Sequence, residues 1–292
     1  MSLPNFMCIG AAKSGTTSLY DILRQHSAIF IPSFKEPHFF DIPFVYQNGL
    51  EWYEKTYFKS VRNEKCIGDF TPTYLFEEET PQRILNDLGS DVKFIIMLRN
   101  PVDRAYSHYL HSLRDQHESL SFHEALRTES SRTNKQDYLS FLRLSYMGQG
   151  LYFEMLSRYY ALFSKEQFLI INFEDEFINN RDSTIKKILD FLEVKDEGIM
   201  IDIKSNPASK ARFQWLKNLM KKTGWWRVII KNMIPSLKVR QIIKNRIQRA
   251  NISTFTPSKL LEQERNEIFN TYFKKDVGNL ELLLNKKMNW NK

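Results

Sequence analysis

Apolar runs of strand length alternate with stretches of helical spacing through the first two-thirds of the chain. Residues 92–98 (Val-Lys-Phe-Ile-Ile-Met-Leu) are nearly all apolar, the pattern of a strand buried on both faces of a parallel sheet. Residues 167–173 (QFLIINF) read the same way. Shorter runs at 5–9, 29–31 and 65–70 add three more strands; the first stops at Gly10 and the second at Pro32. Between them the spacing predicts helices. One opens near Thr16 and runs to Leu23, and one covers 49–58, with Leu50, Tyr53 and Tyr57 along one stripe. Thr80 reads as an N-cap with Pro81 at the first helical position, opening a helix to about Leu88. Another restarts at Asn100-Pro101 and continues to about Leu113. Ser121 with Glu124 fits a capping box, and helices are expected over 151–163 and 182–192. Strand, loop and helix thus alternate from 5 to 192, which predicts an α/β fold with a mostly parallel sheet. From about Ala208 strand signals stop and the chain reads as helical. The simplest expectation is a single domain over 1–292, with an α/β core at 5–200 and a mainly helical extension at 201–292.

Composition narrows this picture. Of 292 residues 42% are hydrophobic and 26% charged, an ordinary globular balance, and Gly and Pro at 10 each exclude collagen-like and linker-dominated chains. No apolar run approaches the roughly 20 residues that a membrane-spanning helix needs. The start of the chain has neither a basic nor a long apolar region, so no secretory signal is expected. Cys8 and Cys66 cannot build a disulfide framework and read as buried strand thiols, which points to a cytoplasmic compartment.

The net charge of +8 is uneven. Residues 203–261 hold 14 Lys and Arg and no Asp or Glu, which leaves the rest of the chain at −6.

Chemistry enters in the acidic part. Gly10-Ala-Ala-Lys13-Ser14-Gly15-Thr16-Thr17 follows a strand and opens a helix. Glycines let a backbone approach an anion closely, and a helix N-terminus offers unpaired N–H groups and partial positive charge. The lysine sits inside the loop rather than after the second glycine, so this is not a Walker A sequence, and no Asp is plainly suited to hold Mg²⁺. A second anion site is expected where Arg99 ends the central strand, since ligands of α/β sheets bind beyond the strands' carboxyl ends. On the helix that follows, Arg104, Ser107, His111 and Arg114 share one face; His111 and Arg114 read as solvated, whereas Arg99 and Ser107 are placed to grip a phosphate.

The stretch KSGTTSLYDIL from Lys13, followed by LRNPVDRAYSHY from Leu98, resembles the sulfotransferases that use 3′-phosphoadenosine 5′-phosphosulfate (PAPS). The resemblance implies a P-loop-type central parallel sheet flanked by helices, PAPS as cofactor with PAP as product, and no metal requirement. It implies that Lys13 contacts the phosphosulfate, with Ser14, Gly15, Thr16 and Thr17 around the 5′-phosphate. Arg99 and Ser107 are then expected on the 3′-phosphate, and Lys210 and Arg212 in a basic loop over the nucleotide phosphates.

A third stretch, Lys35-Glu36-Pro37-His38-Phe-Phe-Asp41, supplies acid–base groups. Pro37 biases Glu36 toward an extended backbone, in which Glu36 and His38 point the same way. A carboxylate beside an imidazole suits a general base. The stretch also resembles the E-x-H-F-F-D segment of the heparan-sulfate branch, where the Glu removes the acceptor proton. Aryl and steroid branches use a His after a later strand; here that place reads Asp69-Phe-Thr71-Pro-Thr-Tyr74, with no His. Glu36 is the expected base and His38 the alternative, with Asp41, Thr71 and Tyr74 expected to line the acceptor pocket. The implied reaction is in-line sulfuryl transfer to a hydroxyl or amine, with positioning and charge neutralisation dominating.

Three roles stand open for 203–261: covering the cofactor, steering a polyanionic glycan, or contacting an anionic membrane near a glycolipid through Trp225-Trp226-Arg227. Nucleic-acid binding has no motif in support. The competing function classes are a P-loop kinase and a basic membrane- or polyanion-binding module with a vestigial nucleotide site.

Overall fold

The computed structural model describes residues 2–134, 136–202, 209–211, 252–254 and 260–290, and for 209–211 and 252–254 the backbone alone. Five parallel strands form the central sheet: β1 (Phe6–Gly10), β2 (Ile29–Phe30), β3 (Cys66–Phe70), β4 (Lys93–Leu98) and β5 (Phe168–Asn172), in the spatial order β2-β3-β1-β4-β5. Central β1 pairs Cys8 with Phe70 on one side and with Ile95 on the other. Alternation along the strands splits the core in two. Met7, Ile9, Phe94, Ile96 and Leu98 face one side, and Phe6, Cys8, Ile95 and Met97 face the other; all are buried. A sheet covered on both faces is why these strands read as unbroken apolar runs. Each side chain so buried contributes about 1.5–3 kcal/mol.

The second face is covered by α1 (Thr16–Leu23) and a late helix, Arg181–Phe191. The first is covered by α2 (Thr80–Leu88), α3 (Pro101–Arg114) and α4 (Tyr152–Tyr160). The late helix is α5, and two more follow near the C-terminus, α6 (Glu262–Ile268) and α7 (Lys274–Leu284). Helix α3 starts directly after β4 for a local reason. The Asn100 side chain accepts from the backbone N–H groups of Val102 (3.0 Å) and Asp103 (3.3 Å), and Pro101 occupies the first turn. At the end of β5, Asn172 does the same for Glu174 and Asp175, at 3.1 Å each.

Several expectations shift. Glu79, not Thr80, flanks α2, and Thr80 is its first residue, with its hydroxyl donating to the Phe40 carbonyl at 3.2 Å. The helix expected over 151–163 spans Tyr152–Tyr160. The region from Ala208 is not helical throughout: β6 (Ser209–Ala211) and β7 (Ile252–Thr254) form an antiparallel pair. The chain also divides into two compact units, Met1–Ser205 with Leu260–Lys292, and Asn206–Lys259. The C-terminal helices α6 and α7 belong to the same unit as the α/β core; Val277, Leu280, Met288 and Trp290 are buried there. Among the described residues no helix is long and apolar enough to cross a membrane.

Candidate functional site

The carboxyl ends of β1, β3, β4 and β5 open on one edge of the sheet, and the loops leaving them carry the polar chemistry. The loop after β1 is tied down by Ala11 N–H donating to the Met97 carbonyl at 2.8 Å. Gly15 has a left-handed backbone (φ 87°), and a Cβ there would lie 2.6 Å from the Phe173 ring, so only glycine fits. Lys13 also lies at positive φ (72°). Burial pushes its ammonium down to about 8, and the guanidinium groups of Arg114, Arg99 and Arg104 push the same way, against Glu36. Ser14 is fully buried, and its hydroxyl has no hydrogen-bond partner among the described residues. Thr16 is buried in the first turn of α1, and the Thr17 hydroxyl accepts from Lys35 Nζ at 3.1 Å.

Arg99 joins the second motif to the first. Its Nη1 donates to the Lys13 carbonyl at 3.0 Å, and the guanidinium lies 5.3 Å above the centre of the Phe173 ring. Its Nε is buried without a hydrogen-bond partner among the described residues, with Glu174 Oε1 at 4.0 Å. Ser107 is half-buried two turns along α3. Arg104, on the same helix, is fully buried; its Nη2 donates to the Tyr146 carbonyl, while Nε and Nη1 have no hydrogen-bond partner among the described residues. Arg114, read from sequence as solvated, belongs to the cationic surround of Lys13. The same surround reaches His111, which burial, Lys13 and Arg114 lower to about 4.

The 35–41 stretch forms a linked row on the loop side. Lys35 Nζ donates to Thr17 Oγ1 and, at 2.6 Å, to Glu36 Oε1; Glu36 Oε2 faces His38 Nε2 at 3.7 Å; His38 Nδ1 meets Asp41 Oδ2 at 2.9 Å. Glu36 and His38 do face each other, but not through extended backbone: both are left-handed, with φ 63° and 53°. Pro37 disfavours the right-handed region for Glu36 without excluding the left-handed one, and the contacts to Lys35 and Asp41 hold the turn. Burial opposes the charged ring of His38, yet the hydrogen bond and charge of Asp41, with Glu36 adding, raise its pKa above 6.5.

Asp41, Thr71 and Tyr74 do not line an open pocket, because each is fully buried. Asp41 Oδ2 meets His38 Nδ1 and accepts from the Thr73 hydroxyl, while its Oδ1 has no hydrogen-bond partner among the described residues. Thr71 donates to Asp69 Oδ1 at 2.7 Å, and Tyr74 to Asp69 Oδ2 at 3.0 Å. The Tyr74 oxygen in turn accepts the Phe39 N–H at 3.0 Å. Tyr53 adds a 2.5 Å bond to Asp69, whose carboxyl burial raises to about 6 against these donors. This knot braces the wall behind Glu36 and His38. The Lys210 side chain and Arg212 lie outside the described residues, as does nearly all of 203–261.

Sequence patterning assigned no site role to Lys35, Arg104 or Glu174, though the first two stand in stretches that it read. For Lys35 the signal was adjacency to Glu36; for Arg104 it was the shared face with Ser107. Glu174 carried none, because strand pairing brings it to Arg99. A cradle of backbone N–H groups and buried cations next to a carboxylate–imidazole row suits a multiply charged anion and proton removal beside it.

Comparison with known proteins gives the family. The family model described as "Sulfotransferase domain" matches residues 3–277. Among curated proteins, the chain is 40% identical over 116 residues to the membrane-associated sulfotransferase kil1 of Dictyostelium discoideum, covering 39% of this chain and 24% of that protein. It is 31% identical over 193 residues to heparan sulfate glucosamine 3-O-sulfotransferase 3B1 of Mus musculus, covering 66% of this chain and 47% of that one. The chain thus spans about half the length of the heparan sulfate relatives it matches, and less of the first. Among solved structures, a sulfotransferase from Alicyclobacillus acidocaldarius superposes with a TM-score of 0.70 at 27% identity, over 100% of both chains.

Proposed function

The chain belongs to the sulfotransferase family, and we propose that it moves a sulfuryl group from PAPS to a hydroxyl on a carbohydrate acceptor, with Glu36 as the base. The observation that carries this reading is the Arg99–Lys13 bond at 3.0 Å, which makes one cationic site of two motifs 86 residues apart in sequence. The residues fit such a donor. Two buried polar atoms, Ser14 Oγ and Arg99 Nε, have no hydrogen-bond partner among the described residues, and the glycine cradle at Gly15 admits no side chain. Buried donors left unpaired cost stability, so a ligand that satisfies them gains what the fold gave up. Lys13 with Ser14, Gly15, Thr16 and Thr17 would hold the phosphosulfate end, and Arg99 with Ser107 the 3′-phosphate.

When bound, PAPS supplies the sulfuryl group and a phosphate leaving group. Glu36 takes the acceptor hydroxyl proton at its carboxylate. Lys35 and His38 orient that carboxylate from either side, at 2.6 and 3.7 Å. Asp41 keeps His38 cationic to higher pH than a free imidazole, so less of the ring stands deprotonated to accept a proton and its charge stabilises that of Glu36. Lys13 places positive charge where negative charge grows on the departing phosphate. The likeness to heparan sulfate 3-O-sulfotransferases supports a glycan acceptor, and the 14 cations of 203–261 support an acidic one, steered by long-range attraction.

A transfer screen with sulfur-labelled PAPS against acidic polysaccharides, glycolipids and small phenols tests the reading, with thermal shift by PAP beside it. PAP at about 100 times its Kd adds roughly 2.7 kcal/mol of stability. Label on a glycan hydroxyl together with a PAP shift is the expected result. Absence of both removes the sulfotransferase reading, and label only on phenols removes the glycan.

A further inference from the structure

The last described residues, from Lys286 to Trp290, run across the carboxyl ends of β4 and β5. Asn172 Nδ2 donates to the Met288 carbonyl and Asn100 Nδ2 to the Trp290 carbonyl, each at 2.9 Å. The two asparagines that start the segments after these strands therefore also hold the C-terminal strap. Trp290 is buried, with its ring centre 5.7 Å from that of Tyr152. Tyr152 in turn donates to the Arg99 carbonyl at 2.9 Å. The indole Nε1 donates to Glu174 Oε2 at 3.1 Å, and the Asn100 N–H reaches Glu174 Oε1 at 3.1 Å. Both oxygens of Glu174 are thereby engaged, and the carboxylate stands 4.0 Å from Arg99 Nε, which has no hydrogen-bond partner among the described residues.

A half-buried carboxylate beside a guanidinium closes into a charge-assisted pair unless other donors hold it back. Asn100 N–H and the Trp290 indole are those donors. We propose that Trp290 is a positioning residue for the anion site: its indole restrains Glu174 and so leaves the Arg99 guanidinium available to the donor's 3′-phosphate. The proposal rests on the donor reading above. It assigns a binding role to a residue 190 positions away from the motif it serves. Loss of the indole N–H would free Glu174 to pair with Arg99, and the donor would then have to compete for the same cation.

Isothermal titration with PAP of the wild type, Trp290→Phe, Glu174→Gln and the double variant tests this. Phenylalanine keeps a ring against Tyr152 and removes the N–H together with part of the indole's bulk, a packing loss that is common to both backgrounds of the cycle. Trp290→Phe is expected to weaken PAP binding about tenfold, the scale of one hydrogen bond to a charged group. It should raise KM for PAPS and leave kcat unchanged. Adenosine 5′-phosphate, which lacks the 3′-phosphate, should bind both proteins alike. In the Glu174→Gln background the same change should alter PAP binding by less than about twofold, within ordinary additivity. Glu174→Gln alone should bind PAP at least as tightly as the wild type, a test that does not depend on Trp290→Phe folding. Unchanged PAP binding by Trp290→Phe, an equal loss in both backgrounds, or weakened binding by Glu174→Gln overturns the proposal. A wild type that does not bind PAP refutes the donor reading, and this proposal falls with it; a wild type that binds with a flat cycle refutes the strap alone.

Discussion

Raising the pH from 7 to 9 should weaken PAP binding through Lys13. Burial and the surrounding guanidinium groups lower this ammonium from 10.5 to about 8 in the free protein. A bound polyanion restores the charged form, so the bound value returns at least to the ordinary one. Linkage then gives an affinity nearly flat below about pH 8 and about tenfold weaker by pH 9, since only about one free lysine in ten is still protonated there. The phosphates of PAP do not interfere, because their second ionisation lies near pH 6 and is complete across this range, to about −2 charge each. Titration calorimetry in buffers of different ionisation enthalpy reads both the affinity and the proton taken up on binding. Lys13→Arg keeps its charge throughout, so its affinity should stay flat over the same interval. Stability has the opposite sign. The native lysine is depressed, so between about 8 and 10.5 the unfolded chain binds more protons, and the free protein gains stability as pH rises. A wild-type affinity independent of pH to 9.5, or an equal fall in Lys13→Arg, would refute the placement of Lys13 in the anion site.

Two further outcomes follow from particular contacts. Gly15→Ala puts a Cβ 2.6 Å from the Phe173 ring at φ 87°; the left-handed backbone costs about 1–2 kcal/mol and overpacking about 1–3 more, so Tm should fall by several degrees and PAP should no longer shift it. A wild-type melting curve for that variant contradicts the cradle. Asp41→Asn removes the partner that raises His38, so the His38 pKa, followed by NMR titration of its ring protons, should drop. The raised imidazole stabilises the fold fully below 6.5, and that contribution fades as pH rises through the native value. The Tm deficit of Asp41→Asn should therefore be largest in acid and shrink toward pH 8; the reverse trend contradicts the assignment.

The two anion motifs were legible because their geometry is local. A strand, a glycine-bearing turn and a helix start set the backbone around Lys13, and Asn100-Pro101 fixes where Arg99 leaves β4. The parallel sheet was legible for a similar reason, since burial on both faces leaves no alternation to misread. What sequence could not settle depends on partners far along the chain. Thr71 and Tyr74 look like pocket residues until Asp69, buried between them and Tyr53, recruits both hydroxyls inward. Glu36 was expected on extended backbone because the rule for residues before proline removes the right-handed region; the contact with Lys35 and the one through His38 to Asp41 decide between the regions that remain. Trp290 is close to Arg99 only because α6 and α7 pack the chain end against β4 and β5. Charge followed the same division. The net +8 reflects 203–261, while Lys13, Arg99 and Arg104 lie in the part of the chain that is acidic overall.

The central claim is that Glu36 removes the acceptor proton beside a donor site built by Lys13 and Arg99. Single-turnover transfer from labelled PAPS by Glu36→Gln, with PAP affinity measured on the same preparation, tests it most directly. The predicted result is PAP binding within about twofold of the wild type and transfer slowed by about 10²–10⁴-fold, the range of a lost general base. Transfer near the wild-type rate with intact PAP binding would contradict it and move the proton to His38.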